Sequence, residues 1–184
     1  DFFKAYPNDD RKEWNYMTEW KIKSGEIIPY TESADKLPAI SKYYDYDEGA
    51  PGKSAQSNGI TCIYRYAEVL LMYAEASTRA TNSVNQDALN AIQEVQKRAG
   101  YQNRQIELTT TTEPAAFLTA VSNERGWEFF AEMKRWFELV RLEKVKEVRA
   151  EEWDASTFNT NHHYYFPVPY QQVDLAGWTN NAGY

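Results

Sequence analysis

Glu124, Glu128 and Glu132 stand four residues apart, with Arg125 and Arg135 in the same run. On a helix this spacing brings all three carboxylates to one face. Carboxylates grouped in this way serve two chemistries. They hold a pair of metal ions, or one protonates a leaving group while another activates the attacking group. A di-metal centre of the ferritin kind also needs Glu-x-x-His pairs, and the only histidines, His162 and His163, lie far down the chain. A glycoside-cleaving pair needs carboxylates facing each other across a cleft, and no such constellation is visible. The favoured reading is structural. Extending the apolar line from Leu118 and Val121 at helical spacing lands on Arg125, Glu128, Glu132 and Arg135. A buried face thus turns charged without leaving its line, and charge on such a line has to be paired. Arg65, Glu68 and Glu75, on an earlier apolar stretch, supply the complement. A partly buried ion-pair lattice joining these seven residues is expected.

Other groups carry less chemistry. Asp45, Asp47 and Glu48 have the alternation of a calcium loop but lack its full Asp-x-Asp-x-Asp-Gly…Glu frame. A solvated acidic loop is the favoured reading, and no cofactor is assigned. His162 and His163 are adjacent, so in extended chain they point to opposite faces and make a poor pair of ligands to one metal. There is no Gly-rich phosphate loop, no Gly-x-Ser-x-Gly and no Cys/His zinc pattern. Cys62 is the only cysteine, which excludes an internal disulfide, and it reads as a small core residue. The net charge of −7 comes with no basic cluster able to follow a phosphate backbone, so nucleic acid is not an expected partner. No apolar run is long enough to cross a bilayer.

Aromatic residues are abundant: 6 Trp, 14 Tyr and 8 Phe in 184 residues. They can build a large core in which Tyr and Trp keep a polar tip wet, or a flat surface on which the C–H faces of sugar rings pack. Trp14, Tyr16, Trp20, Tyr44, Tyr46 and Trp153 lie outside the helical patterns and are the candidate ligand contacts, with Asp45 and Asp47 as flanking hydrogen-bonding groups. Such a platform requires exposed, roughly coplanar rings.

These residues need a scaffold. Residues 1–60 read as loop-rich, with short extended pieces at 20–22 and 40–44 and with Pro38 and Pro51 as breakers. Helices dominate residues 61–184. The first starts near Thr61 and is apolar almost all round, which reads as buried. Ser83 and Gln86 fit a capping box for the second, and Gly100 supplies its left-handed end. The short connection at Thr81 and Asn82 makes these two an antiparallel hairpin, about the size of one tetratricopeptide unit. A third helix is expected from about Thr112, with Pro114 in its first turn, running on to Leu139 past a kink or break at Gly126. Past Val148 the period is lost, and a tail with Pro167 and Pro169 is expected to be extended.

Taken in order, several stretches resemble the SusD/RagB family. Residues 65–76, Arg-Tyr-Ala-Glu-Val-Leu-Leu-Met-Tyr-Ala-Glu-Ala, closely resemble one of its signature segments. Residues 88–100, from Ala-Leu-Asn-Ala-Ile to Lys-Arg-Ala-Gly, are similar to the helix that follows. Glu124-Arg125-x-x-Glu128 with Arg135-Trp136-Phe137-Glu138-Leu139-x-Arg141 looks like a third motif. Tyr165-Phe166-Pro167-Val168-Pro169 and Asn181-Ala182-Gly183-Tyr184 look like its closing elements. Tyr6 to Arg11 and Ile40 to Tyr43 resemble earlier ones more loosely. Met133-Lys134, Glu138 and Ala182 depart from the pattern in ways that concern local turn geometry.

The resemblance implies a mainly α, SusD-like fold: a tetratricopeptide-type helix hairpin plus further helices, with loop-rich, partly extended segments. It implies a non-catalytic cell-surface protein of a Gram-negative outer membrane that binds a nutrient, usually an oligosaccharide and sometimes a peptide, and works with a TonB-dependent transporter barrel. It further implies a C-terminal portion whose partner is the preceding part of the same protein, and a lipid anchor on an N-terminal Cys that this chain lacks. The matched motifs are scaffold motifs and bring no ligand residues with them. The alternative is a helical-repeat adaptor that binds peptide or protein partners. The Trp- and Tyr-rich first third favours sugar over this, because adaptor grooves are built on helix faces.

Overall fold

A computed structural model describes residues 2–22, 24–43, 62–148 and 159–184. The fold is mainly α. Two compact units are present, Asp1–Met133 and Lys134–Tyr184. The expected boundary at residue 60 falls outside the described residues.

In the first unit, helices α1 (Phe2–Ala5) and α2 (Asp10–Asn15) precede four short strands, β1 (Tyr16–Met17), β2 (Glu19–Lys21), β3 (Ile27–Pro29) and β4 (Ala39–Ile40). The strands pair antiparallel as β1 with β4, in the register Tyr16↔Ile40, and β2 with β3, in the register Trp20↔Ile28. The first third is thus less irregular than its composition reads. Asp9 creates α2 by accepting a hydrogen bond from the Arg11 backbone N–H, which satisfies a free donor of the first turn.

Three longer helices carry the core. Helix α3 (Tyr66–Thr81) ends at Asn82, whose left-handed backbone (φ 48°) suits Asn better than most residues. Helix α4 (Gln86–Arg98) is capped by Asn85, whose side chain accepts from the Ala88 N–H at 2.8 Å. Ser83, expected as the cap, instead donates to the Thr81 hydroxyl at 3.0 Å. The helix starts two residues too late for Ser83 to cap it. Helix α5 (Pro114–Glu128) is capped by the Glu113 carboxylate, which accepts from Ala115 and Ala116, with Pro114 in its first turn. Ala67, Leu71 and Ala74 of α3 meet Ala88, Ile92 and Val95 of α4 and Phe117 and Val121 of α5. Alanines at these positions let the helix axes approach closely.

Three expectations change. Cys62 is exposed ahead of α3 rather than in the core. Helix α3 starts at Tyr66 and is buried on one side only. The third helix stops at Glu128, two residues past Gly126, which lies buried within it. A turn follows in which Ala131 (φ 62°) and Met133 (φ 60°) adopt left-handed backbone, and this ends the helical hydrogen-bond ladder.

At the end of α4, Gly100 (φ 82°) closes a Schellman turn: its N–H reaches the Lys97 carbonyl and the Tyr101 N–H reaches that of Gln96. A side chain here would also collide with the Asp10 carboxylate, which packs against this turn as the Asp10 N–H donates to the Ala99 carbonyl. Gly100→Ala is therefore expected to destabilise the protein by about 1–3 kcal/mol, read as a lower urea midpoint. An unchanged midpoint would show that neither the left-handed turn nor the Asp10 contact matters.

The second unit holds α6 (Arg135–Arg141), α7 (Val145–Val148), α8 (Thr160–His163) and α9 (Tyr170–Ala176), with Leu139 and Val145 buried. The tail is thus partly helical, not extended throughout. Asn181 Nδ2 donates to the Phe166 carbonyl at 2.6 Å and Tyr184 OH to that of Tyr165 at 3.0 Å. These bonds tie the chain end to the proline-containing segment. Because α8 is helical, the His162 and His163 rings stack at 4.6 Å instead of pointing to opposite faces.

Candidate functional site

The charged residues of α5 meet the N-terminal segment and the start of α3 in one lattice. Arg11, only 9% exposed, is its centre. Its guanidinium donates to Asp9 (Nη2–Oδ2 2.6 Å), Glu124 (Nη1–Oε1 2.7 Å) and Glu128 (Nη1–Oε2 2.8 Å). Arg65 grips Glu132 through two nitrogens, Nε to Oε2 at 3.0 Å and Nη2 to Oε1 at 2.7 Å, and reaches Glu128 through Nη1 at 2.7 Å. Such two-pronged guanidinium–carboxylate contacts are the strong, directional kind. Lys42 adds a bond to Glu132 at 2.6 Å, and Arg98 a further one to Glu128. The second oxygen of Glu124 accepts from Tyr101 OH at 3.0 Å and Gln96 Nε2 at 3.2 Å.

These contacts set the acidities. Burial works against ionisation of Glu128, but Arg98, Arg65 and Arg11 together hold its carboxyl below the ordinary range. The same balance holds Glu132 low, through Arg65 and Lys42. Glu124 is the deepest of the three, and burial pushes it up against the opposing pull of Arg11. Burial disfavours the charge on Arg11, but Glu124 and Asp9 outweigh it and raise the guanidinium further.

The remaining lattice residues are placed as follows. Arg125 lies 3.7 Å from Glu68, and its guanidinium and that of Arg65 both sit over the Phe129 ring, at 5.3 and 4.8 Å from the centroid. Glu75 accepts from Arg79 of its own helix at 2.8 Å. Arg135 does not lie on the α5 line, because the turn at Ala131 and Met133 intervenes; it pairs with Glu138 of α6 at 3.0 Å. Reading the sequence missed Asp9, Arg11, Lys42, Arg98, Tyr101 and Glu124 as lattice members, Glu124 having been weighed only as a catalytic or metal-binding carboxylate. The only signal for the first three was the loose family resemblance of residues 6–11 and 40–43.

Both oxygens of Glu124, Glu128 and Glu132 accept bonds from protein side chains, mostly cationic. Carboxylates so engaged hold the scaffold together and offer no free oxygen to a substrate. Among the described residues, no group of three or more His, Cys, Asp or Glu side chains is arranged to hold a metal ion. Asp45, Asp47 and Glu48 lie outside those residues.

Of the candidate ligand contacts, Trp14 is well exposed, at 68%. Its carbonyl accepts from the Ser41 hydroxyl at 2.6 Å, which fixes the backbone beneath the ring. Trp20 is half-buried on β2. Tyr16 is buried and offers no ring face to solvent: it packs on Phe3, Tyr6 and Phe130 with centroids 4.6–5.5 Å away, and its phenol is pushed up to about 12 by burial. Its choice as a ligand contact is corrected by this packing. Tyr44, Tyr46 and Trp153 lie outside the described residues.

This arrangement has relatives. SusD-like protein P2 of Formosa agariphila is 28% identical over 98% of the chain, and the match spans 39% of that protein. A SusD superfamily protein from Parabacteroides distasonis has a structure that superposes on the whole chain with a TM-score of 0.75 and 26% identity, covering 41% of its own length. The surface glycan-binding protein A from Bacteroides uniformis superposes on 98% of the chain with a TM-score of 0.71 and 25% identity, over 39% of its length. The chain therefore spans about two fifths of the length of the proteins it matches. The sequence model of the SusD family matches residues 4–184, and the chain belongs to that family.

Proposed function

We propose that this chain is part of a non-catalytic binding protein that captures oligosaccharide at the outer-membrane surface and passes it to a TonB-dependent transporter. The observation that carries this reading is the likeness, over nearly the whole chain, to a surface glycan-binding protein. The lattice supports it. The grouped carboxylates, the best candidates for acid–base work, are committed to arginine, lysine, glutamine and tyrosine partners. Sugar contact then falls to exposed aromatic rings, with Trp14, on the short helix α2, the most open of the described candidates. The lipid-anchored surface location is part of the same proposal. Among the described residues no helix is long and apolar enough to cross a membrane.

The test is a glycan and peptide array on the complete protein, followed by affinity measurements on Trp14→Ala, Trp20→Ala and Trp153→Ala. A ring that stacks on the ligand should cost about fivefold or more in affinity when removed. Unchanged affinity in all three variants, with folding intact, would place the contact elsewhere. Peptide binding without glycan binding would favour the adaptor, and new reducing ends on incubation with glycan would overturn the non-catalytic reading.

A further inference from the structure

Helix α2 turns one face outward. Asp10, Glu13 and Trp14 stand at i, i+3 and i+4, the spacing of neighbours on one side of a helix. Its inward side carries Arg11 and Asn15, both buried, and the Ser41 hydroxyl holds the Trp14 carbonyl, so the direction of the face is fixed. Arg104 reaches this face from 94 and 91 residues further along the chain: its Nε donates to Asp10 Oδ1 and its Nη2 to Glu13 Oε1, each at 2.7 Å. Nη1 of Arg104 and Oε2 of Glu13 take no part in these bonds. The turn that carries Arg104 is pinned as well, since the Asp10 N–H donates to the Ala99 carbonyl and the Arg104 N–H to that of Gly100. Water-facing ion pairs of this kind add little to stability, and an indole left in water adds none. Folding stability does not account for an ion-paired frame built beside an open ring.

We propose that Trp14, Glu13 and Arg104 form a subsite for an uncharged sugar ring, so that the glycan taken here is a neutral one. The proposal rests on the glycan reading above and narrows it. The indole supplies a flat apolar plate on which the C–H face of a pyranose packs. The ion pair beside it supplies fixed polar atoms. A guanidinium N–H donates to one hydroxyl and a carboxylate oxygen accepts from the next, which suits neighbouring hydroxyls that each donate and accept. Because Asp10 holds Arg104 from the other side, these atoms are in place before the sugar arrives and lose little freedom on binding. The charges decide the class. Two carboxylates face one guanidinium, and the whole chain carries −7. A uronate or sulfate group would meet Asp10 and Glu13, with Arg104 already shared between them, and a cationic ligand would meet Arg104. A neutral ring meets neither repulsion.

The complete protein is titrated by calorimetry with neutral oligosaccharides and with uronate and sulfated ones of equal length, at low and at physiological salt. The tightest ligand is then tested on Trp14→Ala and Arg104→Gln, with melting curves to establish folding. The expected result is binding of neutral glycan only, with an affinity indifferent to salt and lowered about fivefold or more in each variant. In the unmutated protein the same glycan should slow oxidation of Trp14 by N-bromosuccinimide, read by mass spectrometry, a measurement that stands even where a variant fails to fold. A neutral glycan whose affinity is unchanged in both variants, and which leaves Trp14 unprotected, would overturn the subsite while the glycan reading stands. An anionic glycan that binds and protects Trp14 would overturn the neutral assignment. Resistance of Trp14 to oxidation before any glycan is added would show the ring covered by other parts of the molecule and overturn the proposal. Binding of no glycan at all would remove the glycan reading and the proposal together.

Discussion

Arg11→Ala is expected to lower stability by about 3–5 kcal/mol, the cost of leaving Asp9, Glu124 and Glu128 without their shared cation. All three carboxylates are almost wholly buried, so water cannot take over the role of the guanidinium. Lys is not expected to rescue the variant, because one ammonium cannot reach the geometry in which Nε, Nη1 and Nη2 each hold a bond. The loss should depend on pH with a definite sign. The lattice holds Glu128 and Glu132 below their ordinary values, so its stabilisation is present above the ordinary carboxylate range and fades as pH falls through the folded-state values. Glu124, raised by burial, takes up its proton first. Without Arg11 the buried carboxylates protonate more readily still, and their penalty is relieved. The gap between wild type and Arg11→Ala should therefore narrow as pH is lowered from 7 towards the ordinary carboxylate range. Urea melts of both proteins across that range test this, and a gap that stays constant or widens would show that Arg11 acts through packing.

Phe117→Ala is expected to cost a similar 3–5 kcal/mol for an unrelated reason. The ring is fully buried where α3, α4 and α5 meet, and its removal leaves a cavity lined by residues that cannot easily close over it. No ionisable group is involved, so this loss should stay constant over the same pH range. The two variants together separate the apolar and the ionic contributions to one small fold. A pH-dependent loss at Phe117 would mean that the cavity disturbs the lattice, which shares α5 with it. A loss below about 1 kcal/mol would mean that the helices collapse into the space.

What could be read from the residues follows from how local each determinant is. Helix α4 was legible because its polar and apolar faces alternate cleanly and Gly100 marks its end. Helix α3 was legible as a helix but not in its orientation. Its apolar residues run nearly all round, so the side left exposed could not be told, although Glu68 was expected to meet the α5 charges and lies 3.7 Å from Arg125. The end of α5 was hidden because Phe129, Phe130 and Trp136 continue an apolar helical period through the turn, and the left-handed residues there are Ala131 and Met133 rather than glycines. Helix α2 is too short for periodicity to register, and the bonds that fix Arg11 reach across the whole unit. The same holds for Tyr16, whose burial depends on Phe130. Of the lattice, Glu128 and Glu132 were visible as charge on a core line and Arg65 as its complement, whereas Glu124 did not fall on that line. Their partners on the N-terminal segment were not visible, because nothing local distinguishes Asp9 or Lys42 from surface residues.

The span of the Arg11 bonds has a consequence for time as well as for energy. Glu124 and Glu128 lie 113 and 117 positions away along the chain, whereas α3 and α4 are neighbours joined by a short turn. Contacts between neighbours form early, and those that close a long loop come late, after most of the apolar surface is already covered. An interaction absent from the folding barrier leaves the forward rate almost untouched and acts wholly on the reverse one. The lattice is thus a brake on unfolding. A protein braked in this way persists according to how seldom it opens.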